Sequence, residues 1–133
     1  MTLGQENVDY GRLAQQGAVR ELRPLLGDMA AFVLDTKQAK RHGVPVEEML
    51  DAMGSDLRHV HISDYSANHN CIPPGQGNMD YQDFFARLQR IGYAGDIVLE
   101  LYRDGVATAE DLGEGVRDLQ QLIPPGGAAA GEE

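Results

Sequence analysis

The chain of 133 residues has room for one modest hydrophobic core, and its 42% hydrophobic content is ordinary for a soluble globular domain. A formal net charge of −10 argues against nonspecific nucleic-acid binding, which depends on clustered Lys and Arg. The single cysteine, Cys71, excludes an internal disulfide. No apolar run approaches the roughly 20 residues of a membrane helix, and the first residues lack the charged and apolar regions of a signal peptide, so a cytoplasmic protein without membrane partners is expected.

In chain order, Leu3 to Val8 reads as the tail of a strand with Glu6 near its carboxyl end. Gly11 to Leu26 has helically spaced Leu13, Val19, Leu22 and Leu26, a glycine stop at Gly27, and a Pro24 expected to shorten it. Ala30 to Asp35 is a near-continuous apolar run, the mark of a strand covered on both faces in a parallel sheet. Lys37 to Gly43 reads as a loop or a single helical turn, and Val46 to Met53 as a short helix between Pro45 and Gly54.

The stretch from Leu57 to Gly77 organises the rest. In His59-Val60-His61-Ile62-Ser63, alternation puts His59, His61 and Ser63 on one face of a strand. A polar loop with Asp64, Asn68, His69 and Cys71 closes on Pro73-Pro74-Gly75-Gln76-Gly77. Phe84, Phe85, Leu88 and Ile91 then form the apolar stripe of a helix from about Tyr81. Asp96 to Tyr102 is another apolar strand, with Glu100 near its carboxyl end. A last helix over about Thr108 to Leu122 carries Gly113 and Gly115, which weaken it. A folded unit over 1–123 and a low-complexity, disordered tail over 124–133 complete the division.

This order predicts an α/β fold of four parallel βα units with right-handed crossovers, half of a (β/α)8 barrel. Strand ends of one sense fall on one rim, so Glu6, Asp35, His61 and Glu100 are expected to converge there. Singly, each is more often a solvated or capping residue. As a set, three carboxylates and one imidazole suit one hard divalent ion, Mn²⁺, Mg²⁺ or Co²⁺, with Zn²⁺ admissible. Without a cation the carboxylates would repel one another.

GQEN (4–7), VLDTKQA (33–39), HVHISD (59–64), IPPGQGNMDY (72–81) and IGYAGDIVLELY (91–102) carry a family resemblance. In their order and spacing they resemble the last four βα units of the xylose isomerase-like TIM barrels. These are the sugar phosphate isomerase/epimerase group, which shares its fold with family 2 apurinic endonucleases. The resemblance implies that Glu6, Asp35, His61 and Glu100 hold the metal and that Glu6 and Glu100 are the catalytic acid/base pair. Gln38 falls where many members have a second His. His69 and Cys71 fall where the endonucleases have an Asp and a His for further zinc, a departure that disfavours DNA hydrolysis.

The activity expected from this is proton transfer alpha to the carbonyl of a small sugar or sugar phosphate through an enediolate. Lys37, Gln38, His69 and Arg103, just past strand ends, are the candidate substrate contacts, with solvated loop residues as the plain alternative. A half-barrel leaves two strand edges unsealed, so either self-association or a missing N-terminal half is expected. The competing function class is a non-catalytic half-barrel that serves as an interaction module.

Overall fold

Four short strands form one parallel sheet in the order β1-β2-β3-β4: β1 Gln5–Glu6, β2 Phe32–Asp35, β3 Leu57–Ile62 and β4 Asp96–Leu99. The computed structural model describes residues 3–7, 15–102 and 108–124. Sequence neighbours are sheet neighbours throughout, joined by crossovers that contain helices α1 Gln16–Leu26, α2 Thr36–Arg41 with α3 Val46–Met53, and α4 Tyr81–Arg90. Helix α5, Ala109–Leu122, follows β4.

The alternation read from β3 is what divides the two faces of the sheet. Phe32, Leu34, Val60 and Ile62 are essentially inaccessible and join one core with Met49, Leu50 and Met53 of α3 and Phe84, Phe85 and Leu88 of α4. Val33, His59 and His61 on the opposite face are only half-buried, and Val98 is 43% exposed. The helices therefore cover one face and leave the other open, as in a barrel wall seen without its opposite half. β1 and β4 each pair on one side only among the described residues.

Several local expectations change. Helix α1 runs through the exposed Pro24 to Leu26, and the expected start near Gly11 and Leu13 lies outside the described residues. The segment after Asp35 is a six-residue helix whose N-cap is the Asp35 side chain, accepting from the Gln38 N–H at 3.1 Å. Helix α5 includes both Gly113 and Gly115. A Cβ on Gly115 would come within 2.9 Å of Leu99 Cδ2, so the missing side chain lets α5 approach β4. The tail beyond 124 lies outside the described residues, and no described helix is long and apolar enough to cross a membrane.

Candidate metal centre

The register Asp35↔His61↔Val98 sets Asp35 and His61 side by side at the carboxyl ends of β2 and β3. Glu6 ends β1, and Glu100 follows β4, its N–H bonded to Ile62 O at 3.0 Å. One ligand-type atom from each of Glu6, Asp35 and His61 lies within 4.8 Å of the other two. Glu100 reaches the same cluster: its Oε2 is 3.5 Å from His61 Nδ1, and Asp35 Oδ2 is 3.8 Å from that nitrogen. All four expected residues thus meet at one rim.

Two atoms define the chemistry of the spot. Asp35 Oδ2 and His61 Nδ1 are buried and have no hydrogen-bond partner among the described residues. Buried polar atoms of this kind are normally satisfied, and a pair facing each other across a carboxylate cluster suits a shared cation. Burial pushes the Asp35 carboxyl above its ordinary range, with the Lys37 charge and the Gln38 N–H opposing. Glu100 moves the other way: the hydrogen bond from Lys37 outweighs its partial burial and holds it below the ordinary range.

Lys37 lies inside the cluster rather than beside it. Its Nζ is 2.7 Å from Glu100 Oε1 and 3.7 Å from Asp35 Oδ2, and its side chain is 7% exposed. The Gln38 amide oxygen is buried and has no hydrogen-bond partner among the described residues. His69 is exposed and hydrogen-bonded to Ser66 Oγ at 3.3 Å. Cys71 Sγ donates to Glu100 O at 3.5 Å, beside the end of β4. Arg103 lies outside the described residues.

Sequence reading missed the residues that hold these ligands in place. Asn7 is fully buried and bonds both backbone groups of Asp35. The Thr36 hydroxyl donates to Ser63 O at 2.9 Å and accepts from Ser63 N at 3.0 Å, tying the end of β2 to that of β3. Asp64, fully buried, accepts the backbone N–H groups of Tyr65, Gly75, Gly77 and Met79, so one carboxylate folds the whole loop after β3. Gly77 is obligatory in that loop, since a Cβ there would collide with the Tyr65 carbonyl oxygen and the Asp64 carboxylate. The usable signal is positional: Asn7 follows Glu6, Thr36 follows Asp35, and Asp64 follows Ser63, each a short polar residue just past a strand end.

A parallel, helix-backed half-wall with carboxylates and an imidazole at its carboxyl rim is the arrangement of a TIM-barrel protein that works at its strand ends. The family model of the xylose isomerase-like TIM barrel matches residues 8–123, and the chain belongs to that family. Among solved structures it is similar to a D-tagatose 3-epimerase-like protein, with TM-score 0.62 and 21% identity over 91% of this chain and 49% of that one. It is also similar to the D-allulose 3-epimerase from Methylomonas sp., with TM-score 0.67 and 19% identity over 92% of this chain and 49% of that one. These likenesses establish the fold, a partial TIM barrel. The 3-dehydroshikimate dehydratase of Pseudomonas putida is 28% identical over 116 residues, 85% of this chain and 15% of that protein. An uncharacterized protein of Mycobacterium leprae is 32% identical over 91 residues, 66% of this chain and 32% of that protein. The chain thus spans about half the length of these solved structures and less of the two relatives.

Proposed function

We propose that the chain carries the metal-binding half of a sugar or sugar phosphate isomerase or epimerase. The observation that carries this reading is the pair of buried atoms Asp35 Oδ2 and His61 Nδ1, 3.8 Å apart within a carboxylate cluster and without a hydrogen-bond partner among the described residues. Glu6, Asp35, His61 and Glu100 would hold one divalent ion, Mn²⁺, Mg²⁺ or Co²⁺ by the hardness of the oxygen donors. When bound, that ion supplies Lewis acidity toward a substrate carbonyl and its neighbouring hydroxyl.

The protein's own residues supply the proton chemistry. The sheet order sets Glu6 at one edge and Glu100 at the other, with Asp35 and His61 between them. A substrate lying across the rim would be flanked by the two glutamates. One takes the proton alpha to the carbonyl, leaving the electron pair as an enediolate, and the other returns a proton to that carbon or to its neighbour. Return to the same carbon on the other face gives an epimer, and return to the neighbour gives an isomer. Glu100, hydrogen-bonded through Oε1 to Lys37, keeps Oε2 for such a transfer. Where a hydroxyl sits on the beta carbon, the same proton removal leads instead to loss of water, the outcome named for the Pseudomonas putida relative.

The open face would be completed by a further half-barrel, either more chain or a second copy. Calorimetric titration of Mn²⁺ into wild type, His61→Ala and Glu100→Gln tests the centre without needing a substrate. Affinity should fall in both variants. Equal affinity in all three proteins would overturn the reading.

A further inference from the structure

Lys37 is the one buried cation among the described residues, and it stands within the cluster that the metal would occupy. It is the second residue of α2, the helix capped by Asp35, so the same short segment delivers a carboxylate and an ammonium to one place. The ammonium also lies 4.7 Å from the centroid of the Tyr102 ring, and the Tyr102 hydroxyl accepts from Arg41 at 3.2 Å. Its position is therefore fixed from several sides.

The geometry divides the donors into two groups. Lys37 makes a short hydrogen bond to Glu100 Oε1, which engages that oxygen. At 3.7 Å from Asp35 Oδ2 it makes an ion pair but no hydrogen bond, and among the described residues neither that oxygen nor His61 Nδ1 has a hydrogen-bond partner. An ion entering among Glu6, Asp35 and His61 finds Asp35 Oδ2 and His61 Nδ1 not hydrogen-bonded among the described residues, and finds Glu100 already half-engaged. The charges agree with this division. Three carboxylates are balanced by one ammonium and a single divalent ion, with nothing left for a second ion.

We propose that Lys37 is a resident cation of the centre: it pins Glu100, limits the site to one divalent ion and sets how weakly that ion is held. This rests on the metal reading given above. Lys37 becomes an affinity-determining residue rather than a contact to substrate hydroxyls. A like charge a few ångströms from the bound ion lowers its affinity by at least about 10-fold even at the high effective dielectric of a protein rim.

The test is Mn²⁺ titration followed by calorimetry and by the electron paramagnetic resonance of free Mn²⁺. It uses wild type, Lys37→Met, Lys37→Arg and, as the site control, His61→Ala. Wild type should take up one ion. Lys37→Met should bind Mn²⁺ about 10-fold or more tightly, and Lys37→Arg, which keeps the charge, should stay within about 3-fold of wild type. If Lys37→Met folds only weakly alone, its melting temperature should rise further on Mn²⁺ addition than wild type's, while K⁺ at equal ionic strength has no such effect. Unchanged or weaker Mn²⁺ binding by Lys37→Met, with His61→Ala impaired, would overturn the role of Lys37 and leave the metal centre standing. Binding no better than His61→Ala in every protein would remove the centre and this inference together.

Discussion

Asn7 holds Asp35 by both backbone groups: its Nδ2 donates to Asp35 O at 3.1 Å, and its Oδ1 accepts from Asp35 N at 2.8 Å. The side-chain amide thus adds a rung to a ladder that β1 itself ends after Glu6. β1 is only two residues long, so this rung contributes much of its attachment to the sheet. It is also what holds Glu6 over the cluster.

Replacing Asn7 by Ala should therefore act on metal binding through position, since Asn7 supplies no ligand. Two buried hydrogen bonds are lost and the Asp35 backbone groups are left unsatisfied, so stability should drop by about 2 kcal/mol. Mn²⁺ affinity should drop as well, toward that of Glu6→Ala, because β1 is freed at its carboxyl end. Urea denaturation and Mn²⁺ titration on the same preparations check both. Unchanged Mn²⁺ affinity would show that β1 is held by other means.

Asp64→Ala should strongly destabilise the loop after β3. Four backbone N–H groups lose their acceptor in a region where Asp64 is fully buried. The expected loss is about 3 kcal/mol, a large share of the stability of a domain of this size. Asp64→Asn keeps an acceptor oxygen but not the charge and should lose less. Chemical denaturation of the two variants decides, and equal losses would contradict the count of accepted bonds.

The strands, their parallel sense and the convergence of four residues were legible because they follow from short-range pattern: apolar runs, alternation at His59 to Ser63, and βα spacing. The fixing of those residues was less so. Asn7 bonds across 28 positions and Thr36 across 27, and no local periodicity encodes such distances. Lys37 illustrates the same point: its hydrogen bond to Glu100 spans 63 residues, so no local pattern places its ammonium inside the cluster. The use of Gly115 was equally hidden, because its packing partner, Leu99, is in another element.

The two histidines of β3 should separate cleanly. His61 presents Nδ1 to Asp35 and Glu100, while His59 sits two residues earlier, its ring edge-on to His61 with centroids 4.9 Å apart. His61→Ala should cost at least about 10-fold in Mn²⁺ affinity through loss of the nitrogen ligand. His59→Ala removes only the ring that packs beside it and should shift affinity by no more than about 3-fold. Isothermal titration distinguishes them, and comparable losses would mean that His59 is itself a ligand.

Asp35→Asn sets stability against binding. Burial raises the Asp35 carboxyl in the folded chain, so the folded state holds its proton more readily than the unfolded state does. The sign follows from linkage: ionising such a group costs the folded protein free energy. The cost is absent below the ordinary carboxylate range, where both states are protonated, and is complete above the raised folded value. An amide has no such cost and still offers an oxygen to the Gln38 N–H that the Asp35 side chain caps. Without metal, Asp35→Asn should therefore melt about 2–5 °C above wild type at about pH 7, and the gain should vanish by about pH 3. Saturating Mn²⁺ should reverse the order, because wild type is stabilised by the ion it binds and the variant has lost a charged ligand. Thermal melts at both pH values, with and without Mn²⁺, test each arm. A variant that melts below wild type at neutral pH in the absence of metal would show that Lys37 already neutralises Asp35, and that the unpartnered Oδ2 is not a source of instability awaiting an ion.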